Sequence, residues 1–191
     1  MATFGVIASG IIGITTGSLC AQNTTSKQIA LGVCDTMQTF PSFVYLIPVM
    51  MLFGITDTSV LIAVIIYATI PATRYTIEGL RSVPQALHDA ASMSGVTRIQ
   101  RLFQIEFPLA FPHIMLGINQ TVVFALFMVI IGAFIGTEDL GQYILKALSD
   151  NKGAGKGLIL GLCVAFIGLA VDNLIRTWAE KRKKMLGLEE Y

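Results

Sequence analysis

The residue types that most often do chemistry in proteins are few and scattered in this sequence. His88 and His113 lie far apart and lack the spacing of metal ligands, and no Ser/His/Asp or Cys/His arrangement indicates a nucleophile. The three cysteines, an odd number, each lie in or beside an apolar run, which argues against disulfides or a zinc site. We therefore predict no catalytic residue, no metal site and no cofactor bound by this chain.

One segment imitates a phosphate-binding loop, which requires Gly, four residues, Gly-Lys and then Ser or Thr. Gly155 and Lys156 match the centre of that pattern, but Asp150 occupies the first glycine position and Gly157 follows the lysine. We interpret the segment as a flexible connection that precedes a helix. The chain itself is predicted to have no ATPase activity.

The composition accounts for the shortage of reactive groups. Of 191 residues, 54% are hydrophobic and 13% are charged, whereas a soluble domain carries about 25% charged residues. The mean hydropathy of +0.71 agrees, and a net charge of +1 excludes a basic nucleic-acid-binding protein. The length fits one domain, and the composition is that of an integral membrane protein.

Gaps between charged residues locate the predicted membrane segments, because a helix needs about 20 apolar residues to cross the hydrocarbon core. We predict five transmembrane helices, near 2–20, 37–54, 57–75, 111–136 and 157–178. The first is the weakest prediction because it is rich in Gly, Ser and Thr. A signal peptide is the alternative, although the positively charged start of such a peptide is lacking.

The distribution of basic residues predicts the orientation of these helices. Ten of the 13 lysines and arginines fall in the loop near 21–36, the loop 74–106 and the C-terminal region from Arg176 onward. Basic loops face the cytoplasm, so the N-terminus is expected outside and the C-terminus inside. Residues 1–180 form one predicted transmembrane domain, and 181–191 form a basic cytoplasmic tail.

The loop 76–108 carries the strongest local signals. Pro84 can occupy a first helical turn, Gly95 permits a sharp change of direction, and Thr97 can cap a second helix. These signals predict a helix–turn–helix on the cytoplasmic face. Its apolar positions have no membrane to enter, so they require a protein partner.

The same loop resembles that of the inner-membrane subunits of binding-protein-dependent ABC importers. Their pattern reads E-A-A, three residues, Gly, nine residues, Ile, one residue, Leu-Pro. Asp89-Ala90-Ala91, Gly95, Ile105 and Pro108 follow this spacing, with Asp89 in place of Glu and Phe107 in place of Leu. The stretches 37–48 and 117–121 resemble permeases for glycine betaine, proline betaine and related solutes. Such permeases usually have further sequence before the first of these helices, so a short form or a fragment is an alternative.

This resemblance implies an all-α membrane protein with the core of a type I ABC importer permease. It implies two cytoplasmic ABC ATPase subunits that bind ATP and Mg, an extracytoplasmic substrate-binding protein and a second permease copy. Asp89, Ala90, Ala91 and Gly95 would form the ATPase-coupling element. The nearby arginines would either contact the ATPase or only set the orientation of the helices; these are Arg81, Arg98 and Arg101.

The resemblance also indicates the solute, which would be glycine betaine, proline or a related osmoprotectant. Aromatic faces attract a quaternary ammonium, so Phe40, Phe43 and Tyr45 are candidates for the substrate path. Asn119 and Gln120 are polar candidates in the fourth span, with interhelical hydrogen bonding as their alternative role. The alternative functions are a permease for choline, carnitine or an amino acid, an ATP-independent channel or carrier, and a non-transporting fragment.

Overall fold

The computed structural model describes residues 2–133, 140–149 and 154–185, and within these ranges the chain is helical without a strand. One segment, Leu102–Glu106, forms a π-helical turn. The predicted all-α class is confirmed. The α-helices are, in chain order, α1 Ala2–Ala21, α2 Thr24–Thr39, α3 Phe43–Phe53, α4 Asp57–Arg81, α5 Gln85–Met93, α6 Arg98–Arg101, α7 Phe107–Ala133, α8 Leu140–Ser149 and α9 Ala154–Met185.

Helix α4 is the centre of the bundle and packs against both α1 and α7. Its buried face is made of small and β-branched residues, among them Val60, Ala63 and Val64, and meets Leu46 of α3 and Met128 of α7. Small side chains allow helix backbones to approach closely, which drives helix association where lipid removes the hydrophobic effect. This packing fixes α1, α4 and α7 relative to one another.

Two glycines of α1 show how close this approach is. A Cβ placed on Gly13 would lie 2.4 Å from Cβ of Ala72, and one on Gly17 would lie 2.8 Å from Cβ of Thr76. The four-residue spacing of Gly13 and Gly17 predicts internal packing, and the structure confirms it. Gly132 and Gly136 have the same four-residue spacing, but Gly136 lies outside the described residues.

Within the described residues, four helices are long and apolar enough to cross a membrane: Ala2–Ala21, Asp57–Arg81, Arg98–Ala133 and Gly155–Met185. There are five spans if the bent pair α2 and α3 is one of them. The helices of the third and fifth predicted spans, α4 and α9, continue to Arg81 and Met185, past the predicted ends at 75 and 178. Arg81 and the lysines near Met185 can reach the interface with their long side chains. The short helix α8 was not predicted.

The second predicted span, 37–54, differs from the structure. The chain is not one helix there: α2 ends at Thr39, α3 begins at Phe43, and their axes are bent by 89°. Pro41 explains the break, since a proline disfavours the helical conformation of the residue before it. Phe40 is accordingly extended, with φ −77° and ψ 136°. The Tyr45 hydroxyl donates to the Met37 carbonyl across the bend.

Candidate functional site

The loop between α4 and α7 folds as the predicted helix–turn–helix. Helix α5 follows Pro84, and Gly95 takes a φ of +73°, the left-handed conformation that glycine adopts without strain. The hydroxyl of Thr97 accepts from the Gln100 backbone N–H at 3.3 Å, and the Gln100 side chain accepts from the Thr97 N–H at 3.0 Å. This capping box satisfies two backbone N–H groups at the start of α6.

The residues of the family-like pattern divide between the surface and the interior. Asp89 and Ala90 are exposed, and Asp89 accepts from the Gln85 side-chain amide at 3.1 Å. Ala91 is 4% exposed and packs inside the chain. Met93 is 90% exposed, so one side of α5 presents apolar surface that no described residue covers. Ile105 and Pro108, the last two matching residues of the pattern, are half-buried where the π-helical turn meets α7.

Glu106 ties the two helices of the loop together. Its carboxylate accepts from Nε of Arg101 at 2.9 Å and lies 3.2 Å from Nδ1 of His88 on α5. The Glu106 side chain is 13% exposed, which limits competition from water. Sequence reasoning did not predict this role for Glu106 or His88, because the two residues are distant in sequence and follow no standard spacing.

The three arginines predicted as ATPase contacts line one cavity of about 590 Å³. Arg81 comes from the end of α4, and Arg98 and Arg101 come from α6. Lys27 of α2, which sequence reasoning did not select, lines the same cavity. The segment 21–36, predicted as a loop, is mostly helix α2 in the structure, and its Lys27 meets the same cavity as the arginines of the loop 74–106 at one end of the bundle.

The predicted aromatic candidates do not form one cluster. Phe40 and Phe43 flank the bend and are each nearly half exposed. Tyr45 instead joins the interior, where its ring lies 5.2 Å from that of Tyr67. Tyr67 stacks in turn on Phe124, with ring centroids 4.7 Å apart. Tyr67 and Phe124 were not predicted, although both are aromatic residues inside predicted spans.

The polar candidates of α7 lie elsewhere. Asn119 is 3% exposed and donates from Nδ2 to Asp172 of α9, which also pairs with Arg176 at 2.8 Å. Its Oδ1 is buried without a hydrogen-bond partner among the described residues. Interhelical hydrogen bonding, the alternative role, is thus confirmed for Asn119. Gln120 is half-buried.

Comparison with known proteins identifies the class to which this fold and loop belong. Residues 13–184 match the family described as binding-protein-dependent transport system inner membrane component, and the chain belongs to that family. The predicted resemblance to the betaine and choline subgroup of ABC permeases is thereby confirmed. Family and apolar helices together define a multi-pass inner-membrane protein.

Particular relatives refine this assignment. The chain is 79% identical over 188 residues to the trimethylamine N-oxide transport system permease protein TmoV of Pelagibacter ubique, covering 98% of this chain and 26% of that protein. It is 48% identical to TmoV of Ruegeria pomeroyi, with coverages of 93% and 27%. It is 35% identical to the glycine betaine permease OpuAB of Bacillus subtilis, with coverages of 93% and 63%. The chain therefore spans about a quarter of the length of the two TmoV proteins.

Solved structures share the fold at low sequence identity. An inward-facing MetNI methionine ABC transporter matches with a TM-score of 0.71 at 17% identity, covering 92% of each chain. An amino acid ABC transporter with histidines matches with a TM-score of 0.74 at 18% identity, covering 95% of this chain and 90% of the other. The helical architecture is thus that of ABC importer permeases.

Proposed function

We propose that this chain is the membrane-spanning permease part of an ATP-driven importer, and that its loop 76–108 couples ATPase closure to alternating access. The observation that carries the proposal is the loop itself. Its pattern residues fold into two short helices at one end of the bundle, with Asp89, Ala90 and Met93 exposed on α5. Exposed apolar surface outside the spans is suited to a protein partner.

The connections of the loop support a mechanical role. Helix α5 follows α4 after Ser82, Val83 and Pro84, and α6 continues through the π-helical turn into α7. Helices α4 and α7 are also packed against each other in the bundle. A partner that binds α5 and moves can therefore displace both spans as rigid bodies, which is how closure motions are transmitted about interfaces.

The proposed partners follow from the family. Cytoplasmic ABC ATPase subunits would bind ATP and Mg and would dock on α5. An extracytoplasmic binding protein would deliver the solute, and a second copy of the permease would complete the pathway. The chain would bind no cofactor and would not itself be an enzyme. Residues 1–180 would form the transmembrane domain, with the N-terminus outside and the basic tail 181–191 in the cytoplasm.

The proposed solute is a small methylated amine, with trimethylamine N-oxide as the first candidate and glycine betaine as the second. Relatives named for both solutes support this choice. The neighbouring rings of Tyr45, Tyr67 and Phe124 provide aromatic surface inside the bundle, which favours a methylated, positively polarised nitrogen. The other candidates are proline, choline, carnitine and an amino acid.

Uptake into proteoliposomes tests the proposal. The full-length protein would be reconstituted with its ATPase and binding protein, and uptake of labelled trimethylamine N-oxide, glycine betaine and proline would be compared. The test variant is Gly95→Ala, and the matched control is Gly54→Ala. Both glycines have a positive φ, +73° and +77°, and neither would bring a new Cβ within 4 Å of another group.

Gly54→Ala carries at least as much backbone strain as Gly95→Ala, because Gly54 has ψ −178°, in a region essentially restricted to glycine. Only Gly95 lies in the loop, and uptake is compared per folded protein. We expect ATP-dependent uptake to fall about fivefold or more in Gly95→Ala and to stay near wild type in Gly54→Ala. Equal losses in both variants would refute the coupling role of the loop. Uptake that does not require ATP would refute the importer assignment and leave a channel or carrier.

A further inference from the structure

A strongly cationic cavity lies where α1 and α4 end and the loop begins. Four basic side chains line its volume of about 590 Å³: Lys27, Arg81, Arg98 and Arg101. The only carboxylate among its lining residues is that of Glu106. This carboxylate already accepts from Arg101 and lies beside His88, so it leaves the other three cations unbalanced.

Lys27, Arg81 and Arg98 have no side-chain hydrogen bond or ion pair with any residue in the described ranges. Their positive charges face one open cavity at the edge of the bundle, where part of the surrounding volume is protein and screening is weaker than in bulk water. Mutual repulsion of the three cations is unfavourable, and an anion between them would relieve it. The structure therefore has a site with charge and volume for an anionic ligand.

The rest of the lining defines the ligand further. Ile77 and Leu80 of α4 form an apolar wall, while Asn23 and Gln85 contribute amide groups. A ligand that fits both surfaces combines an anionic group with polar hydroxyls and an apolar part. The cavity also lies level with the ends of the spans α1 and α4, which is the depth of lipid headgroups.

We propose that this cavity binds the phosphate-bearing headgroup of an anionic phospholipid, with Lys27, Arg81 and Arg98 as the phosphate contacts. One guanidinium group can bind two oxygens of a phosphate through two parallel, charge-assisted hydrogen bonds. Basic pockets between membrane helices are suited to such headgroups. The bound lipid would connect α2, α4 and α6, and this site does not depend on the proposed transport function.

Calorimetric titration tests the site. Short-chain phosphatidylglycerol would be titrated into the purified full-length protein in a neutral detergent at low salt. The test variant replaces all three phosphate contacts: Lys27→Gln, Arg81→Gln and Arg98→Gln. Each cation near an anionic lipid is worth about fivefold in affinity, so the triple variant is expected to bind about a hundredfold more weakly.

A matched control removes three charges from the basic end of α9 by Lys181→Gln, Lys183→Gln and Lys184→Gln. This control is expected to change the affinity less than about twofold, because these lysines do not line the cavity. An Arg98→Lys variant keeps the charge but loses the paired geometry of the guanidinium, so it is expected to bind more weakly than wild type and more tightly than Arg98→Gln. If the triple cavity variant does not fold, Arg98→Gln carries the test, since Arg98 is exposed.

Three results would overturn the proposal. The first is no loss of binding in the cavity variant, and the second is an equal loss in both triple variants, which would indicate general charge attraction. The third comes from titrating inorganic phosphate alone. Phosphate that binds as tightly as the lipid, with the same dependence on Lys27, Arg81 and Arg98, would assign the cavity to a soluble anion.

Discussion

The tie between Glu106 and the loop helices predicts that Glu106→Gln will uncouple ATP hydrolysis from transport. In the structure, Glu106 holds Arg101 of α6 and His88 of α5 at one carboxylate oxygen, with distances of 2.9 and 3.2 Å. Glutamine keeps the shape and one acceptor oxygen but removes the charge. The loop should then lose its fixed position relative to α7 without losing its helices.

The size of the effect follows from these contacts. Arg101 keeps its positive charge in Glu106→Gln, so its hydrogen bond to the glutamine oxygen remains and only the ion-pair part of the contact is lost. A partly exposed ion pair contributes about 0.2–1 kcal/mol, and the Arg101 side chain is 30% exposed. Together with a smaller loss at His88, the loop should become about threefold to fivefold less favoured in this position.

The assay measures solute imported per ATP hydrolysed in proteoliposomes. Glu78→Gln is the matched control, because Glu78 accepts from Nε of Arg74 at the same 2.9 Å but lies in the last turns of α4, before the helix–turn–helix begins. We expect Glu106→Gln to keep most of its ATPase activity and to lose several-fold in solute imported per ATP. Glu78→Gln should keep the wild-type ratio.

Three results would refute this reasoning. If both variants lower the ratio equally, the loss reflects general weakening of the bundle rather than the loop. If Glu106→Gln lowers ATPase activity and uptake in proportion, the tie serves docking of the ATPase rather than transmission of its movement. A wild-type ratio in Glu106→Gln would show that the tie is dispensable for coupling.

Two further substitutions test the packing and the substrate path. Gly13→Ala should destabilise the protein by about 1–3 kcal/mol in detergent melts, because its Cβ would meet Ala72 Cβ at 2.4 Å and backbone at 3.0 Å. Gly10→Ala, whose Cβ meets only the end of a flexible side chain at 3.1 Å, should be near neutral, and equal melting temperatures would contradict the packing. Tyr67→Leu should raise the uptake KM for a methylated amine by about threefold or more, whereas Tyr143→Leu on α8 should not. An unchanged KM in Tyr67→Leu would remove the stacked rings from the substrate path.

The loop could be predicted from sequence because each of its signals acts over a few residues. Pro84, Gly95 and Thr97 determine the start of α5, the turn and the start of α6 without help from the rest of the chain. The break at Pro41 was less accessible, because gaps between charges measure the length of an apolar segment and not its direction. Pro48 and Pro71 lie inside α3 and α4 without ending them, so proline alone does not locate a break.

The cationic cavity and the aromatic stack could not be predicted for a different reason. Lys27 meets the arginines of a distant loop only because α1, α2 and α4 pack side by side. Tyr67 and Phe124 meet only because α4 and α7 present particular faces to each other. Such contacts depend on the rotation of each helix about its axis, which a uniformly apolar segment leaves undetermined.

The Glu106 tie shows how local geometry can create a contact that a helical pattern would exclude. In an α-helix, residues five apart are separated by about 140° around the axis, so their side chains point in different directions. Here Arg101 and Glu106 are five apart and share a 2.9 Å hydrogen bond. The chain between them is a π-helical turn, in which the Phe107 backbone N–H donates to the Leu102 carbonyl, also five residues back. The wider turn brings the carboxylate under Arg101 and toward His88, and π-helical turns are often found at functional sites. The extra residue of this turn thus places Glu106 at the junction through which the proposed movement of α5 would be transmitted to α7.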